Sequence, residues 1–293
     1  MRRQQQPGPA SAERLTIQAG KLARFSVTLE AGVTLNDAIA RAMQAKDYRS
    51  GVLVLHGGLF RTLRYVIPAL STEPRYAAYY SQTHEAVAPA RGGQVNITFG
   101  EREGAPFSHI HASWTGANGR RGAGHILPLE TVLAEPVEAE AWAVEGAGFM
   151  VRPDAETNFS LFTPEAWAAS DGPATGALVK IQPNQDACAA LEAACARLGW
   201  PAARVCGGVG SLVGARFADG RCMGMAPTEV LVQDGGVAPG RAGGSPQAAL
   251  TLLAVDHDGR VEEGPILPGD NPVLMTFELL LTPLHEAAGP APH

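Results

Sequence analysis

Two stretches of the chain pass through the same succession of apolar and polar patterns. FSVTLEAGVTLNDAIARAM (25–43) opens with a short alternating run, turns, and then places Leu35, Ile39 and Met43 at helical spacing. LVKIQPNQDACAALEAACARL (178–198) does the same with Leu191, Ala194 and Leu198. Each is followed by an apolar strand ending in a glycine pair, VLVLHGG in the first half and ARVCGG in the second. Several strand patterns separated by glycine-rich turns come after. Strand, helix, then a run of strands predicts α+β units with a mainly antiparallel sheet and one main helix each.

The repeat can be put in register. Laying GHILP (124–128) over GPILP (264–268) shifts the chain by 140 residues, sets Gly119-Arg120 on Gly259-Arg260, and sets Glu138 on Glu278. The expected organisation is a disordered tail over 1–13, a first domain over 14–153, a linker over 154–175, a second domain over 176–285 and a tail over 286–293. The linker stretch DAETNFSLFTPEAWAASDGPATG lacks strand alternation, although Phe159, Leu161 and Phe162 are expected to pack on a domain.

Composition narrows the function classes. Apolar residues make up 45% of the 293, enough for real cores, so a disordered or collagen-like chain is excluded. With 34 glycines and 22 prolines, short elements and many turns are expected rather than long helices. A net charge of −6 disfavours a nucleic-acid partner, which would need a basic face. The start, MRRQQQPGPASAE, has no apolar run to serve as a signal core, and no stretch approaches a membrane span. The expected setting is cytoplasmic, with no membrane partner. Cys188, Cys195, Cys206 and Cys222 form no C-x-x-C pair and read as buried free thiols.

The chemically loudest stretch is PFSHIHASWTGANGRRGAGHILP. Side chains at i and i+2 of a strand share a face, so His109 and His111 stand side by side with Ile110 turned away. TGANGRRG is rich in turn residues and should reverse the chain, bringing His125 opposite the His111 end of the first strand. Three imidazoles converging in this way suit a zinc-like ion, or another divalent transition metal, and leave a position open for water or substrate. The plain alternative is a polar strand face. In the second half the corresponding residues are Ala249, Thr251 and Pro265, so all three histidines are missing together and no metal is expected there.

Other candidates are weaker. Glu138, Glu85 and His84 could transfer protons if they reach the bound water. Glu138 has its counterpart in Glu278 and Glu85 resembles Glu229 (HEAV against TEVL), in the half without histidines. A carboxylate kept without the metal suits packing or a strand hydrogen bond as well. His56 reads as a rim histidine. Arg120 and Arg121, like Arg61 and Arg64, could hold an anion or simply be solvated. GGVGSLVG (207–214) follows a strand, but its glycine spacing is not that of a dinucleotide loop.

The run FSHIHASWTGANGRRGAGHILPLETVLAEPVEAEAW resembles the signature of the PPC (plants and prokaryotes conserved) domain. His109, His111 and His125 match its histidines, Gly124 the glycine before the third, and Glu138 its later acid. Ala123 departs from a glycine often found there. The second half resembles the same domain through TEVLVQDGG, the VDHDGR turn and GPILP, without the histidines. The resemblance implies two tandem PPC-like domains, each a curved, mainly antiparallel sheet with one main helix, assembling as trimers. It implies a zinc ion on the three histidines. It also carries a DNA-binding label that comes from plant members with AT-hook segments, and no R-G-R-P core is present here. The expected function is therefore metal-dependent binding or catalysis on a small molecule, with reaction and substrate undefined. The alternatives are a DNA-associated regulator and an oligomeric interaction protein with a structural metal.

Overall fold

A computed structural model of the chain describes residues 2–169, 172–225, 227–240 and 244–284. Two sheets account for nearly all of the strands. One runs in the order 22–29, 137–144, 51–56, 90–102, 105–115, 121–126 and then two short edge strands, 64–66 and 84–85. The other runs 15–20, 176–181, 273–283, 203–213, 227–238, 247–256, 261–265. From 22–29 and from 176–181 onward, six strands follow each other in the same spatial and sequence order. The chain is therefore one α+β unit built twice. The residue pairing repeats as well: His111 faces His125 in the first sheet, and Thr251 faces Pro265 in the second, the 140-residue shift seen in the sequence.

Each unit has one helix, set where the periodicity placed it. Leu35–Gln44 is capped by the Thr34 hydroxyl, which accepts from the Asp37 N–H, and buries Leu35, Ile39 and Met43. Ala187–Leu198 is capped by Asp186 and ends at Gly199, whose φ of 68° needs a residue without a Cβ. Cys188, Leu191, Ala194 and Cys195 turn into its core. Each helix covers one face of its sheet. The two opposite faces pack on each other through Val52, Val54, Trp142, Leu178 and Leu280. Contact there is close, because a Cβ on Gly207 would lie 2.8 Å from Val52 and 2.9 Å from Val54. A polar seam runs through the same interface, where the buried Asn96 amide donates to the carbonyls of Gly208 and Val232.

Three sequence expectations are revised. Residues 2–13 are not a free tail: Gln6 is buried and its amide donates to the Leu274 carbonyl at 2.7 Å, while Gly8 N–H donates to the Glu156 carbonyl at 2.9 Å. Glutamine and proline signal disorder by composition, and the amides are ordered by a strand carbonyl and a turn carbonyl distant in sequence. Leu15–Gly20, expected in the first domain, is hydrogen-bonded along Gly176–Ile181 in the second sheet. The stretch 154–175 contains the strand Ser160–Ala166, paired with Ala147–Pro153. The expected tail over 286–293 lies outside the described residues. Cys188 and Cys195 are buried as expected, Cys206 is partly buried, and Cys222 is exposed. No helix among the described residues is long and apolar enough to cross a membrane.

Candidate metal centre

His109 and His111 lie on the strand Ala105–Thr115, and His125 on Arg121–Ile126. The turn between them closes with Gly119 at a φ of 77°, which lets the second strand return in register. Alternation then directs all three imidazoles into the space between the sheets. One ring nitrogen of each lies within 4.8 Å of the others. The ring centroids of the three are 4.8, 5.0 and 5.4 Å apart.

The second half supplies what surrounds them. His109 Nδ1 is 2.9 Å from Glu278 Oε2, and Glu278 is 1% exposed. His111 Nδ1 is 2.8 Å from the Val230 carbonyl. A carbonyl only accepts, so His111 carries its proton on Nδ1 and presents a lone pair at Nε2. His109 Nε2 faces that lone pair at 3.1 Å. At that spacing the two nitrogens are bridged either by a proton on His109 Nε2 or by a metal ion. Two tetrahedral ligand nitrogens at zinc bond lengths lie about 3.3 Å apart, close to the observed spacing. Glu229, also buried, places Oε1 3.8 Å from both His111 Nε2 and His125 Nδ1. Among the described residues, its Oε2 and Glu278 Oε1 have no hydrogen-bond partner. Two buried carboxylates with a free oxygen each, against three converging imidazoles, form a donor set that fits a divalent cation.

Burial governs the electrostatics. It pushes the His111 and His125 pKa values well below their ordinary range, and the neighbouring His109 adds to the effect. Both rings are therefore neutral near pH 7, with lone pairs available to a metal. Burial also pushes the Glu229 carboxyl of the metal-free protein up to about 8.

The other sequence candidates stand elsewhere. Glu138 is exposed on Val137–Val144 and accepts a hydrogen bond from Thr28 Oγ1. Glu85 is exposed on an edge strand, 3.3 Å from Arg64 Nε, and His84 stacks on Tyr65 at 5.3 Å. None of these lines the cavity at His109 and His111. Glu85 and Glu229 are not structural counterparts, since the strand Pro227–Ala238 occupies the place that Ala90–Arg102 has in the first sheet. Arg121 is exposed and paired with Glu263 at 2.7 Å. GGVGSLVG is mostly strand, and a Cβ on Gly208 or Gly210 would strike its neighbouring strand at 2.4 or 2.6 Å. Those glycines serve sheet packing. Glu229 and Glu278 are the residues that the sequence reading missed as neighbours of the histidines. Their signal is a lone carboxylate within the otherwise apolar runs TEVLV and TFELLL.

No protein-family model matches the chain, and no curated protein matches it. Solved structures similar to it include a metal-containing protein of Archaeoglobus fulgidus, 18% identical, over 52% of this chain and 99% of that one, with a TM-score of 0.41. A plant- and prokaryote-conserved (PPC) protein of Pyrococcus horikoshii is 16% identical over 53% and 97%, with a TM-score of 0.36. A protein of Ralstonia eutropha JMP134, whose description offers DNA binding as unproven, is 14% identical over 49% and 96%, with a TM-score of 0.37.

Proposed function

We propose that the first unit holds a divalent transition metal, zinc foremost, on His109, His111 and His125, and uses it to bind or turn over a small molecule. The observation that carries this reading is the opposition of His109 Nε2 and His111 Nε2 at 3.1 Å, each ring held from behind by Glu278 or the Val230 carbonyl. A metal with three protein ligands supplies Lewis-acid polarisation of an oxygen, or an activated water, at its open position.

The chain's own residues do the rest. Glu278 and the Val230 carbonyl fix the rotation and tautomer of their histidines. Glu229 stands 3.8 Å from His111 Nε2 and His125 Nδ1, where its carboxyl could exchange a proton with an oxygen bound at that edge. The apolar wall formed by Tyr80 and Phe159 limits water at the site. The second unit would thus serve as the back wall of the first unit's centre, which fits a copy that lacks the histidines but carries Glu229 and Glu278.

Metal content measured by elemental mass spectrometry tests the reading. About one zinc per chain is expected, and it should be lost in the His109→Ala/His111→Ala double variant. If neither protein holds metal after reloading at neutral pH, the reading fails.

A further inference from the structure

The cavity beside the histidines is lined by two kinds of side chain. Tyr79, Tyr80, Phe159, Leu161, Leu274 and Met275 are apolar or aromatic. His109, His111, Glu229, Ser211 and Thr276 are polar. The aromatic wall comes from two places. Pro68–Ala69 and Tyr79–Tyr80 form a small sheet of their own, apart from the two main ones. Phe159 lies just before the strand Ser160–Ala166, and its ring is 6.4 Å from both Tyr79 and Tyr80. Tyr80 continues the stack to His125, with centroids 5.0 Å apart. An edge of aromatic rings therefore leads from solvent to the histidines. Tyr79 is 52% exposed and Tyr80 39%, so part of this apolar edge lacks a protein cover.

Charge decides the ligand class further. None of the lining residues is a lysine or arginine, and the nearest acid, Glu229, is buried. A phosphate or a polyanion would find no guanidinium or ammonium to pair with. The enclosed space is only about 60 Å³ and opens to solvent, so an apolar ring would lie in the mouth against the exposed aromatic edge while a small head reaches the histidines.

We infer that the cavity takes a compact molecule with a flat, aromatic-sized apolar body and one oxygen-bearing head, neutral or singly charged, seated head-first at the histidines. This inference rests on the metal reading above.

The test is calorimetric titration of the full chain, loaded with zinc, with three probes: benzohydroxamate, acetohydroxamate and phenyl phosphate. The two hydroxamates share a metal-binding head and differ by the ring. Partial burial of the ring against this edge should make benzohydroxamate about tenfold tighter. The advantage should shrink in Phe159→Ala and in Tyr79→Ala, with zinc stoichiometry unchanged. Zinc uptake with less than fivefold preference for benzohydroxamate, or with tighter binding of phenyl phosphate, overturns this inference and leaves the metal reading standing. Failure to take up zinc overturns both.

Discussion

Glu278 offers the sharpest test of how the second unit supports the first. Its carboxyl group is 1% exposed, lies 2.9 Å from His109 Nδ1 and has no partner for its other oxygen among the described residues. Glu278→Gln keeps a carbonyl acceptor for the imidazole N–H but removes the charge. Glu278→Leu removes both and leaves a buried N–H with nothing to bond. Loss of such a partner behind a metal-bound histidine weakens metal binding by roughly 10- to 100-fold, or about 1.4 to 2.8 kcal/mol. The glutamine variant should fall near the lower end and the leucine variant near the upper. Zinc affinity measured by competition with a chromophoric chelator reads this directly, with circular dichroism of the metal-free proteins as the check on folding. Thermal stability gives a second readout. Free zinc at 100 times the wild-type Kd should stabilise the wild type by about 2.7 kcal/mol and a hundredfold weaker variant by only about 0.4 kcal/mol. If folded Glu278→Leu binds zinc within threefold of wild type, Glu278 does not support the ligand set and the role given to the second unit is wrong.

Two further predictions concern the scaffold. Lys180 is 2% exposed and its only carboxylate contact among the described residues is Asp154 at 3.2 Å, so Asp154→Ala should cost about 3 kcal/mol or more in denaturant unfolding, whereas Lys180→Met should cost less. Burial pushes the Asp154 pKa up, but the Lys180 ammonium and the Thr157 hydrogen bonds override it and hold the carboxyl below its ordinary 3.8. The pair's contribution is therefore full above that value and lost as pH falls through the lowered one; an unchanged acid-unfolding midpoint in Asp154→Asn would contradict this. Thiol labelling of the native protein should modify Cys222 first, because burial pushes Cys188 up to about 12 and Cys195 to about 11, and Cys206 to about 12. Fast modification of Cys188 or Cys195 would count against the packing of the second helix.

The repeated unit was legible because its signals are local. Leu35, Ile39 and Met43 mark one helix by spacing, and the 140-residue shift that pairs GHILP with GPILP is the register observed in the two sheets. The convergence of His109, His111 and His125 follows from strand alternation and one turn, both visible in a stretch of 17 residues. What escaped the sequence depends on contacts between distant segments. Leu15–Gly20 alternates as a strand in either sheet, and only tertiary packing selects Gly176–Ile181 as its partner. Ser160–Ala166 carries Pro164 and reads as a linker, yet it pairs as an outer strand, where proline is tolerated. Gln6 has no apolar pattern at all and is held by one side-chain hydrogen bond.

The same distinction explains the misplaced acids. Glu138 and Glu278 occupy equivalent strand positions, opposite Thr28 in one sheet and Lys180 in the other. Sequence alone makes them interchangeable, and proximity to the histidines in the chain favours Glu138. The packing of the sheets reverses that choice. Glu138 ends exposed on the first unit's outer strands, whereas Glu278 and Glu229 project from the second sheet onto the first unit's histidines. A buried carboxylate within an apolar strand is costly unless something positive or donating meets it. The second unit can lose its own histidines and still require both acids, because their partners lie in the other copy. The two copies are therefore complementary at this place: the three histidines stand on one, and the buried acids that meet them on the other.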